Sequence, residues 1–323
     1  MRLSILFLLS LLPISARSSA EVQASQTGKV CVLLFGGQSN ALGWGYQQYL
    51  EDTGDPLSKP QQDVELFYEI AGTGFLTEDT LLPLQSGSSN TNVKQPGHYP
   101  ALTNAPISRF GPELSFARTV RDRIRDPYTK VVVIKFAMGG SSLWDQADWL
   151  PDGTTNSVAD GRLYRIFQGV AWRGIDAVRK KYPDCKVEVL GMAWVQGESD
   201  AIEGKGGEYQ KHLTAFIADV RATFGTNLTF VLSKIAPQQI KGAADTNKIE
   251  QWELIRAAQS AVAATVPKVA ATETVGKSYA VSKGLSEGQY HFTSPALLQI
   301  GRDLGNALVE TSGLESAQKK ELR

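Results

Sequence analysis

The fold of this chain is constrained most by an alternation of short apolar runs, rich in β-branched residues, with longer segments of helical periodicity. Five runs have the composition of buried strands, and several are apolar throughout, as is typical of parallel strands covered on both faces. They span residues 29–35, 64–70, 130–137, 186–195 and 228–235. Helical periodicity covers residues 112–125, 162–181, 207–224, 248–266 and 295–309. We therefore expect right-handed βαβ units and a doubly wound, mainly parallel sheet of five strands. At the last helix, Ser294 is predicted as the N-cap and Pro295 as the first helical residue.

Length and charge limit what the chain binds. Its 323 residues suffice for a full α/β core, and the absence of an internal repeat favours one domain. Lysine plus arginine equal aspartate plus glutamate at 33 each, so there is no net field to attract nucleic acid or an anionic membrane. A neutral or weakly charged substrate is favoured, although a balanced total does not describe local patches.

The first residues have the pattern of a secretory signal. Arg2 precedes an apolar stretch at 3–14, and small residues at 18–20 provide a cleavage site, so residues 1–20 are interpreted as a signal peptide. A retained N-terminal anchor is the alternative. We expect a secreted or periplasmic protein with one globular domain at 21–312 and a charged tail at 313–323. Cys31 and Cys185 are expected on strands that are not neighbours, and both are interpreted as free buried thiols.

A glycine turn that carries a serine follows the first predicted strand. In the segment GQSN at 37–40, Ser39 is expected at the carboxyl end of a strand, where open α/β sheets bind their ligands. Glycine allows backbone angles that a side chain forbids, and a turn of this kind can present a serine nucleophile. Taken alone, the pattern also fits an ordinary structural turn.

A serine nucleophile needs a base, and the chain has three histidines. His212 lies inside a predicted helix and is interpreted as a surface or boundary residue. His98 lies in a loop and is a candidate for substrate contact. His291 directly precedes the last predicted helix, on a connection of the kind that carries catalytic bases in doubly wound enzymes. It is therefore the candidate base.

Two further glycine-bearing turns offer hydrogen-bond donors for an oxyanion. The segment MGGSS at 138–142 follows the third predicted strand, and WVQGESD at 194–200 follows the fourth and supplies the Gln196 amide. The carboxyl ends of parallel strands lie together, so these turns and Ser39 are expected to converge. Structural glycines explain any single turn, but convergence with a histidine favours a catalytic site.

These motifs together resemble the carbohydrate-esterase branch of the SGNH hydrolases, which includes acetylxylan esterases and sialate O-acetylesterase domains. The resemblance rests on GQSN, GPEL at 111–114, the GGSS turn, WVQGESD and YHF at 290–292, and it extends from about residue 30 to 308. GQSN and WVQGESD in this order are specific, whereas GPEL or a double glycine alone is not. The resemblance implies a flavodoxin-like three-layer α/β/α fold with a five-stranded sheet. Because position 41 is alanine, the chain lacks the GxSxG elbow of ordinary α/β-hydrolases.

The resemblance also implies a role for each site residue. Ser39 is the expected nucleophile and His291 the expected base. Asn40 and Glu198 are expected to organise the site rather than to react. The expected oxyanion donors are the backbone N–H groups of Ser39 and Gly140 and the side-chain amide of Gln196.

One position departs from the family pattern. Members usually carry an aspartate three residues before the histidine, where it orients the imidazole and stabilises its charged form, and this chain has Gly288 there. Glu287 is the candidate third member if the loop is shifted by one residue. The alternative is a Ser39–His291 dyad in which a backbone carbonyl holds the ring, and an inactive site also remains open.

The expected function is that of a secreted serine esterase that removes O-acetyl groups from carbohydrate, most simply acetylated xylan. No cofactor is expected, because no histidine–carboxylate or CxxC cluster has metal spacing. Trp44, Trp144 and Trp149 flank the site turns and are candidates for stacking on sugar rings, with packing as the alternative. The rival functions are a carbohydrate-binding protein on a decayed esterase fold, a sialate O-acetylesterase, and a lipase-like or thioesterase enzyme.

Overall fold

The computed structural model describes residues 28–68, 79–87, 109–124, 128–151, 160–240, 245–281 and 290–314. The predicted signal peptide, His98, Glu287 and Gly288 lie outside these residues. Within them, no helix is long and apolar enough to cross a bilayer.

In the described part of the chain, nine strands form two sheets. The strands are β1 (Gly28–Gly37), β2 (Gly45–Tyr46), β3 (Gln61–Tyr68), β4 (Leu82–Leu84), β5 (Arg109–Phe110), β6 (Tyr128–Ala137), β7 (Cys185–Val195), β8 (Thr229–Ser233) and β9 (Val269–Thr272). The main sheet has seven strands in the order β4-β3-β6-β1-β7-β8-β9, and β2 pairs with β5 separately. All neighbours in the main sheet are parallel except β3 and β4.

The prediction of a five-stranded sheet was wrong in number. All five predicted runs contain strands, but β4 and β9 are additional members of the sheet. With β3 and β4 set aside, the order β6-β1-β7-β8-β9 is that of a flavodoxin-like sheet, so β9 belongs to this core and β3 lies outside it. β9 escaped prediction because it is a short VAAT segment in which only Val269 is buried.

Among the residues that the structure describes, eight α-helices pack around the sheet. They are α1 (Ser39–Leu42), α2 (Gln47–Asp52), α3 (Glu113–Arg123), α4 (Arg162–Lys181), α5 (Glu198–Ile202), α6 (Gly206–Phe224), α7 (Thr246–Thr265) and α8 (Ser294–Ser312). The five predicted helices correspond to α3, α4, α6, α7 and α8, with ends that differ by a few residues.

Helices cover both faces of the sheet, which gives three layers. Phe35 on β1 packs against Phe116 of α3, with 5.6 Å between ring centroids. Trp194 on β7 packs against Phe216 of α6 at 4.6 Å. Because Phe35 lies opposite Ala193, the residue before Trp194, these two contacts are on opposite faces. Residues 30–35 of β1 are fully buried between the layers, as the continuous apolar run predicts.

Both cysteines are free thiols, as predicted, but only Cys31 is buried, whereas Cys185 is half-buried. The reason given for the absence of a disulfide was also wrong. β1 and β7 are neighbours, with Cys185 opposite Gly28 and Cys31 opposite Glu188. The three-residue offset between the thiols corresponds to roughly 10 Å along a strand. A disulfide needs Cα atoms within about 7 Å, so the register of the strands keeps the thiols apart.

The start of α8 also differs from the prediction. The N-cap is Thr293, whose side chain makes no capping hydrogen bond, and Ser294 is the first helical residue. The Ser294 hydroxyl instead accepts a hydrogen bond of 3.0 Å from the backbone N–H of Tyr46. This contact holds the start of α8 against the segment that follows α1.

Candidate active site

Three glycine-bearing turns leave the adjacent strands β6, β1 and β7 at one edge of the sheet. Gly37, the last residue of β1, lies opposite Ala137 on β6 and Val195 on β7. Its φ is +138°, and a Cβ at this position would lie 2.1 Å from the Val195 carbonyl oxygen. Only glycine therefore allows β1 to end so close to β7. The sheet thus brings Ser39, the 138–142 turn and the 196–200 turn together.

The double-glycine turn after β6 lies against Ser39. Ser39 is the first residue of α1 and is 8% exposed. A Cβ built on Gly139 would lie 3.7 Å from the Ser39 Cβ. Gly140 is exposed and has a left-handed φ of +68°, and a Cβ on it would meet nothing within 4 Å. The turn therefore leaves open space beside the serine.

The Asn40 side chain fixes the backbone on both sides of His291. Its Nδ2 donates a hydrogen bond of 2.9 Å to the carbonyl oxygen of Tyr290. Its Oδ1 accepts one of 3.1 Å from the backbone N–H of Phe292. Because Asn40 directly follows Ser39 in the chain, this pair of bonds, which we call the Asn40 clamp, couples the candidate nucleophile to the candidate base.

Glu198 and Gln239 form hydrogen bonds with the groups of the Asn40 clamp. The same Glu198 Oε1 accepts hydrogen bonds from Asn40 Nδ2 at 2.6 Å and from Gln239 Nε2 at 2.9 Å. Gln239 Nε2 also donates to the Tyr290 carbonyl oxygen at 2.6 Å. Burial raises the pKa of Glu198, while the hydrogen bonds from Gln239 and Asn40 act in the opposite direction. Glu198 thus contacts the clamp through fixed hydrogen bonds.

Sequence reasoning missed Gln239. It lies in the 3-10 helix Pro237–Ile240 after β8, in a segment without a glycine turn or a charged motif. Its Oε1 accepts a hydrogen bond of 2.7 Å from the Ala236 N–H, which fixes the side chain toward Glu198. No local pattern marks such a residue, because its partners are distant in the chain.

The Gln38 side chain joins the two specific motifs. Its Oε1 accepts hydrogen bonds from the backbone N–H groups of Gly197 at 3.1 Å and Ser199 at 3.2 Å. These N–H groups lie at the amino end of α5, where a helix has donors without intrahelical partners. GQSN and WVQGESD are therefore connected directly, through the first polar side chain of GQSN.

Gln196 is fully buried and its amide is occupied by protein groups. Its Nε2 donates to Asp200 Oδ2 at 2.5 Å and to the Ser141 carbonyl oxygen at 3.2 Å. The Tyr209 hydroxyl donates to its Oε1 at 3.0 Å, which fixes the orientation of the amide. In this structure Gln196 therefore connects the two turns, and it has to give up one of these bonds to donate to an oxyanion. Burial raises the pKa of Asp200 to about 7, opposed by hydrogen bonds from Gln196 and the Leu143 N–H.

Trp44 lies on the imidazole of His291. The two rings are stacked, with 3.9 Å between centroids and 17° between planes. The guanidinium of Arg109 lies 4.5 Å from the centre of the Trp44 ring. The ring face that was predicted to stack on a sugar is therefore in contact with the candidate base.

The other two tryptophans lie in different surroundings. Trp149 is fully buried and meets Trp194 edge to face at 5.0 Å, so the packing alternative holds for it. Trp144 is half-buried, donates its indole N–H to Glu203, and lies under the Lys205 ammonium at 4.4 Å. Its role as a sugar contact stays a prediction.

The GPEL motif stabilises the short helix α1, which carries Ser39, through residues outside the site. The Gly111 N–H donates to Glu113 Oε1 at 3.0 Å, and Glu113 forms a fully buried ion pair with Lys135 at 2.8 Å. Lys135 Nζ also donates to the carbonyl oxygen of Leu42, the last residue of α1, at 2.8 Å. The motif thus holds the end of the short helix that carries Ser39.

His212 is half-buried on α6, as predicted for a boundary residue, and burial lowers its pKa. Among the residues that the structure describes, no group of three or more histidine, cysteine, aspartate or glutamate side chains is arranged to hold a metal ion.

The Asn40 side chain thus connects Ser39, on its glycine turn, with the segment that carries His291 at the carboxyl edge of a doubly wound sheet. A family model described as "Carbohydrate esterase, sialic acid-specific acetylesterase" matches residues 29–310. The chain belongs to this family of carbohydrate esterases, and it is a carboxylic ester hydrolase. A comparison with curated protein sequences gives no match.

Solved structures share the fold at low identity. NanS has 17% identity and a TM-score of 0.59, over 92% of this chain and 99% of NanS. A protein of Arabidopsis thaliana has 18% identity and a TM-score of 0.56, over 87% of this chain and 98% of that protein. A carbohydrate acetylesterase from Xanthomonas citri has 18% identity and a TM-score of 0.55, over 87% of this chain and 56% of that protein. These similarities agree with the three-layer α/β architecture.

Proposed function

We propose that this protein is a secreted serine esterase that removes O-acetyl groups from carbohydrate through an acetyl-serine intermediate. The Asn40 clamp is the observation that carries the proposal, because it couples Ser39 to the segment bearing His291. A protein retained only for binding has no need of such coupling. The signal-like pattern at 1–20 supports secretion.

The proposed mechanism assigns one step to each group. Ser39 attacks the acetyl carbonyl carbon while His291 accepts the hydroxyl proton. The backbone N–H groups of Ser39 and Gly140 receive the charge on the carbonyl oxygen, and the open space at Gly140 suits this role. His291 then protonates the leaving sugar oxygen, and the sugar departs with a free hydroxyl. A water molecule, deprotonated by His291, attacks the acetyl-serine; acetate leaves, and His291 returns the proton to the Ser39 oxygen.

Gln196 is the third oxyanion donor in this proposal. Its longer hydrogen bond, 3.2 Å to the Ser141 carbonyl oxygen, is the one to be exchanged for the substrate oxygen. Its bond to Asp200 is retained and keeps the amide oriented. Glu287 is the proposed third member of the catalytic group, and a dyad held by a backbone carbonyl is the alternative.

Two substrates are supported by different observations. Acetylated xylan is the first, because the chain has zero formal net charge and a neutral polymer needs no steering field. O-acetylated sialic acid is the second, and the description of the family supports it. We therefore propose a carbohydrate acetylesterase with xylan as the preferred substrate and sialate as the rival.

The reaction is tested with 4-nitrophenyl acetate as the substrate. We expect the wild-type protein to hydrolyse it and Ser39→Ala to lose at least 1,000-fold in kcat, on the order seen when a nucleophile is removed. Ser260→Ala, at an exposed serine on α7, is the matched control and keeps full activity. Equal inactivity of the wild type and Ser39→Ala, with binding of xylan retained, is the result expected of a decayed esterase. Hydrolysis by Ser39→Ala at the wild-type rate places the nucleophile elsewhere.

The substrate is tested by release of acetate from acetylated xylan, O-acetylated sialic acid and acetylated pectin. The highest kcat/KM on acetylated xylan supports xylan as the preferred substrate. The highest kcat/KM on O-acetylated sialic acid identifies sialic acid as the preferred substrate instead. Comparison of acetate with octanoate esters separates an acetylesterase from a lipase-like enzyme, since only the latter gains from a long acyl chain.

A further inference from the structure

Trp44 is held against His291 by contacts of its ring faces. The indole and imidazole planes are within 17° of parallel at a centroid separation of 3.9 Å. The indole N–H is buried and has no hydrogen-bond partner among the described residues, so no hydrogen bond sets the orientation of the ring. Arg109, itself 1% exposed, contacts the Trp44 ring at 4.5 Å and the Tyr46 ring at 5.0 Å. The Trp44 ring thus contacts the Arg109 guanidinium and the imidazole of the candidate base, on which it stacks.

A stacked aromatic ring affects both the orientation of an imidazole and the stability of its protonated form. Stacking restricts rotation of the His291 ring about its Cβ–Cγ bond, which backbone hydrogen bonds from Asn40 cannot do. An aromatic face also attracts a cation, so it favours the imidazolium that forms when the base accepts the proton of Ser39. In a serine hydrolase triad, an aspartate has these same two roles: it orients the imidazole and stabilises the imidazolium.

Other charged groups near the base belong to several elements. Arg109 of β5 lies on Trp44, Glu198 of α5 lies under the Asn40 clamp, and Lys248 of α7 donates to the Tyr290 hydroxyl at 2.8 Å. Arg109 and Lys248 disfavour an imidazolium, whereas ionised Glu198 favours it. The contribution of Trp44 is therefore measured by replacing the ring alone and leaving these charges in place.

We propose that Trp44 is a positioning residue for the catalytic base, which holds the His291 imidazole in plane and stabilises its protonated form. This rests on the proposed function only in taking His291 as the base. It assigns a role to a side chain for which the sequence offered only stacking on a sugar ring or packing. It also gives the base a support that does not depend on the identity of residue 288.

The test compares Trp44→Leu with Trp44→Phe, which keeps an aromatic face. Trp172→Leu, at a tryptophan that is 37% exposed on α4, is the matched control. The imidazole proton resonances are followed by NMR between pH 4 and 9, and the signal absent from His291→Asn identifies His291 among three histidines. Values of kcat and KM for 4-nitrophenyl acetate and acetylated xylo-oligosaccharides are measured over the same range.

In the wild type we expect His291 resonances shifted upfield by the indole ring current. Trp44→Leu removes this shift and moves the His291 titration midpoint to lower pH. On 4-nitrophenyl acetate it lowers kcat roughly 2- to 30-fold, the range of a cation–π contact, with KM within 2-fold. Trp44→Phe restores most of both effects, and Trp172→Leu has neither.

The proposal is overturned if the His291 shifts and titration are the same in the wild type and Trp44→Leu. It is also overturned if Trp44→Leu slows only the hydrolysis of the oligosaccharides, because Trp44 then serves the sugar. If Trp44→Leu does not fold, the same comparison is made with Trp44→Phe, whose smaller ring reduces the upfield shift without abolishing it. An inactive wild type contradicts the proposed function alone, since the NMR titration needs no turnover.

Discussion

Replacement of Asn40 by alanine perturbs the clamp on His291 with little change elsewhere. It removes hydrogen bonds to Glu198, to the Tyr290 carbonyl and from the Phe292 N–H. Glu198 and Tyr290 keep Gln239 as a partner, so the Phe292 N–H loses its acceptor while the other two groups stay satisfied. The two bonds whose partners stay satisfied count about 1 kcal/mol each, and the unpaired Phe292 donor counts about 1–3 kcal/mol, so the free energy of unfolding falls by roughly 3–5 kcal/mol.

The effect on activity is separate from the effect on stability. Without the clamp, the backbone around His291 is free to move relative to Ser39, and a displacement of about 1 Å costs on the order of 100-fold in rate. We therefore expect kcat on 4-nitrophenyl acetate to fall about 100-fold at a temperature where Asn40→Ala is fully folded.

The assay combines urea unfolding, followed by circular dichroism, with steady-state kinetics on the same samples. Asn247→Ala, at an exposed position in α7, is the matched control and changes neither quantity measurably. A folded Asn40→Ala with kcat within 3-fold of the wild type refutes the reasoning, because His291 is then positioned without the clamp. A loss of stability below about 1 kcal/mol also contradicts the count of hydrogen bonds.

Three further variants test other parts of the account. Gly37→Ala is expected to prevent folding, because its Cβ would lie 2.1 Å from a carbonyl oxygen. Gly54→Ala is the control: its φ is +67° and nothing lies within 4 Å of the added Cβ, so it lowers the free energy of unfolding by only about 1 kcal/mol. Soluble yield and thermal unfolding of the two variants are compared. Gln239→Leu removes both donors under the clamp and is expected to lower kcat at least 10-fold with KM unchanged, and an unchanged kcat shows that Gln239 is dispensable. Burial raises the pKa of Asp200 from 3.8 to about 7, so between these pH values Asp200 binds more protons in the folded state than in the unfolded state. The contribution of this group to the free energy of unfolding is therefore largest below pH 4 and falls by on the order of 4 kcal/mol as the pH rises to 7. Urea unfolding from pH 4 to 8 measures this slope. We expect it to be smaller in Asp200→Asn, where only other groups such as Glu198 contribute, and equal slopes in the two proteins contradict the assignment.

Much of the fold was predictable because the signals are local. Continuous apolar runs identified the strands that are buried on both faces, and residues 30–35 of β1 are fully buried. β9 gave no such signal, since its four residues are mostly half-buried and its place is fixed by pairing with β8. The neighbouring positions of β1 and β7 were also not predictable from composition, which is why the cysteines were placed correctly as thiols for a wrong reason.

The position of the candidate residues on the sheet was predictable, but their contacts were not. Turns after parallel strands converge by topology, so the placement of Ser39, Gly140 and Gln196 at one edge required no side-chain information. The partners of each side chain did require it. The Gln196 amide is occupied by Asp200 and Ser141, and Trp44 lies on His291, because of packing between segments far apart in the chain.

The central claim, that Ser39 forms the covalent intermediate, is tested most directly by rapid-quench mass spectrometry. The protein is mixed with 4-nitrophenyl acetate, quenched in acid within the first turnovers, and digested. The account predicts an acetyl group on the peptide that carries Ser39, formed with the burst of 4-nitrophenol and absent from Ser39→Ala. Steady hydrolysis without an acetylated peptide, or with the acetyl group on another residue, contradicts it.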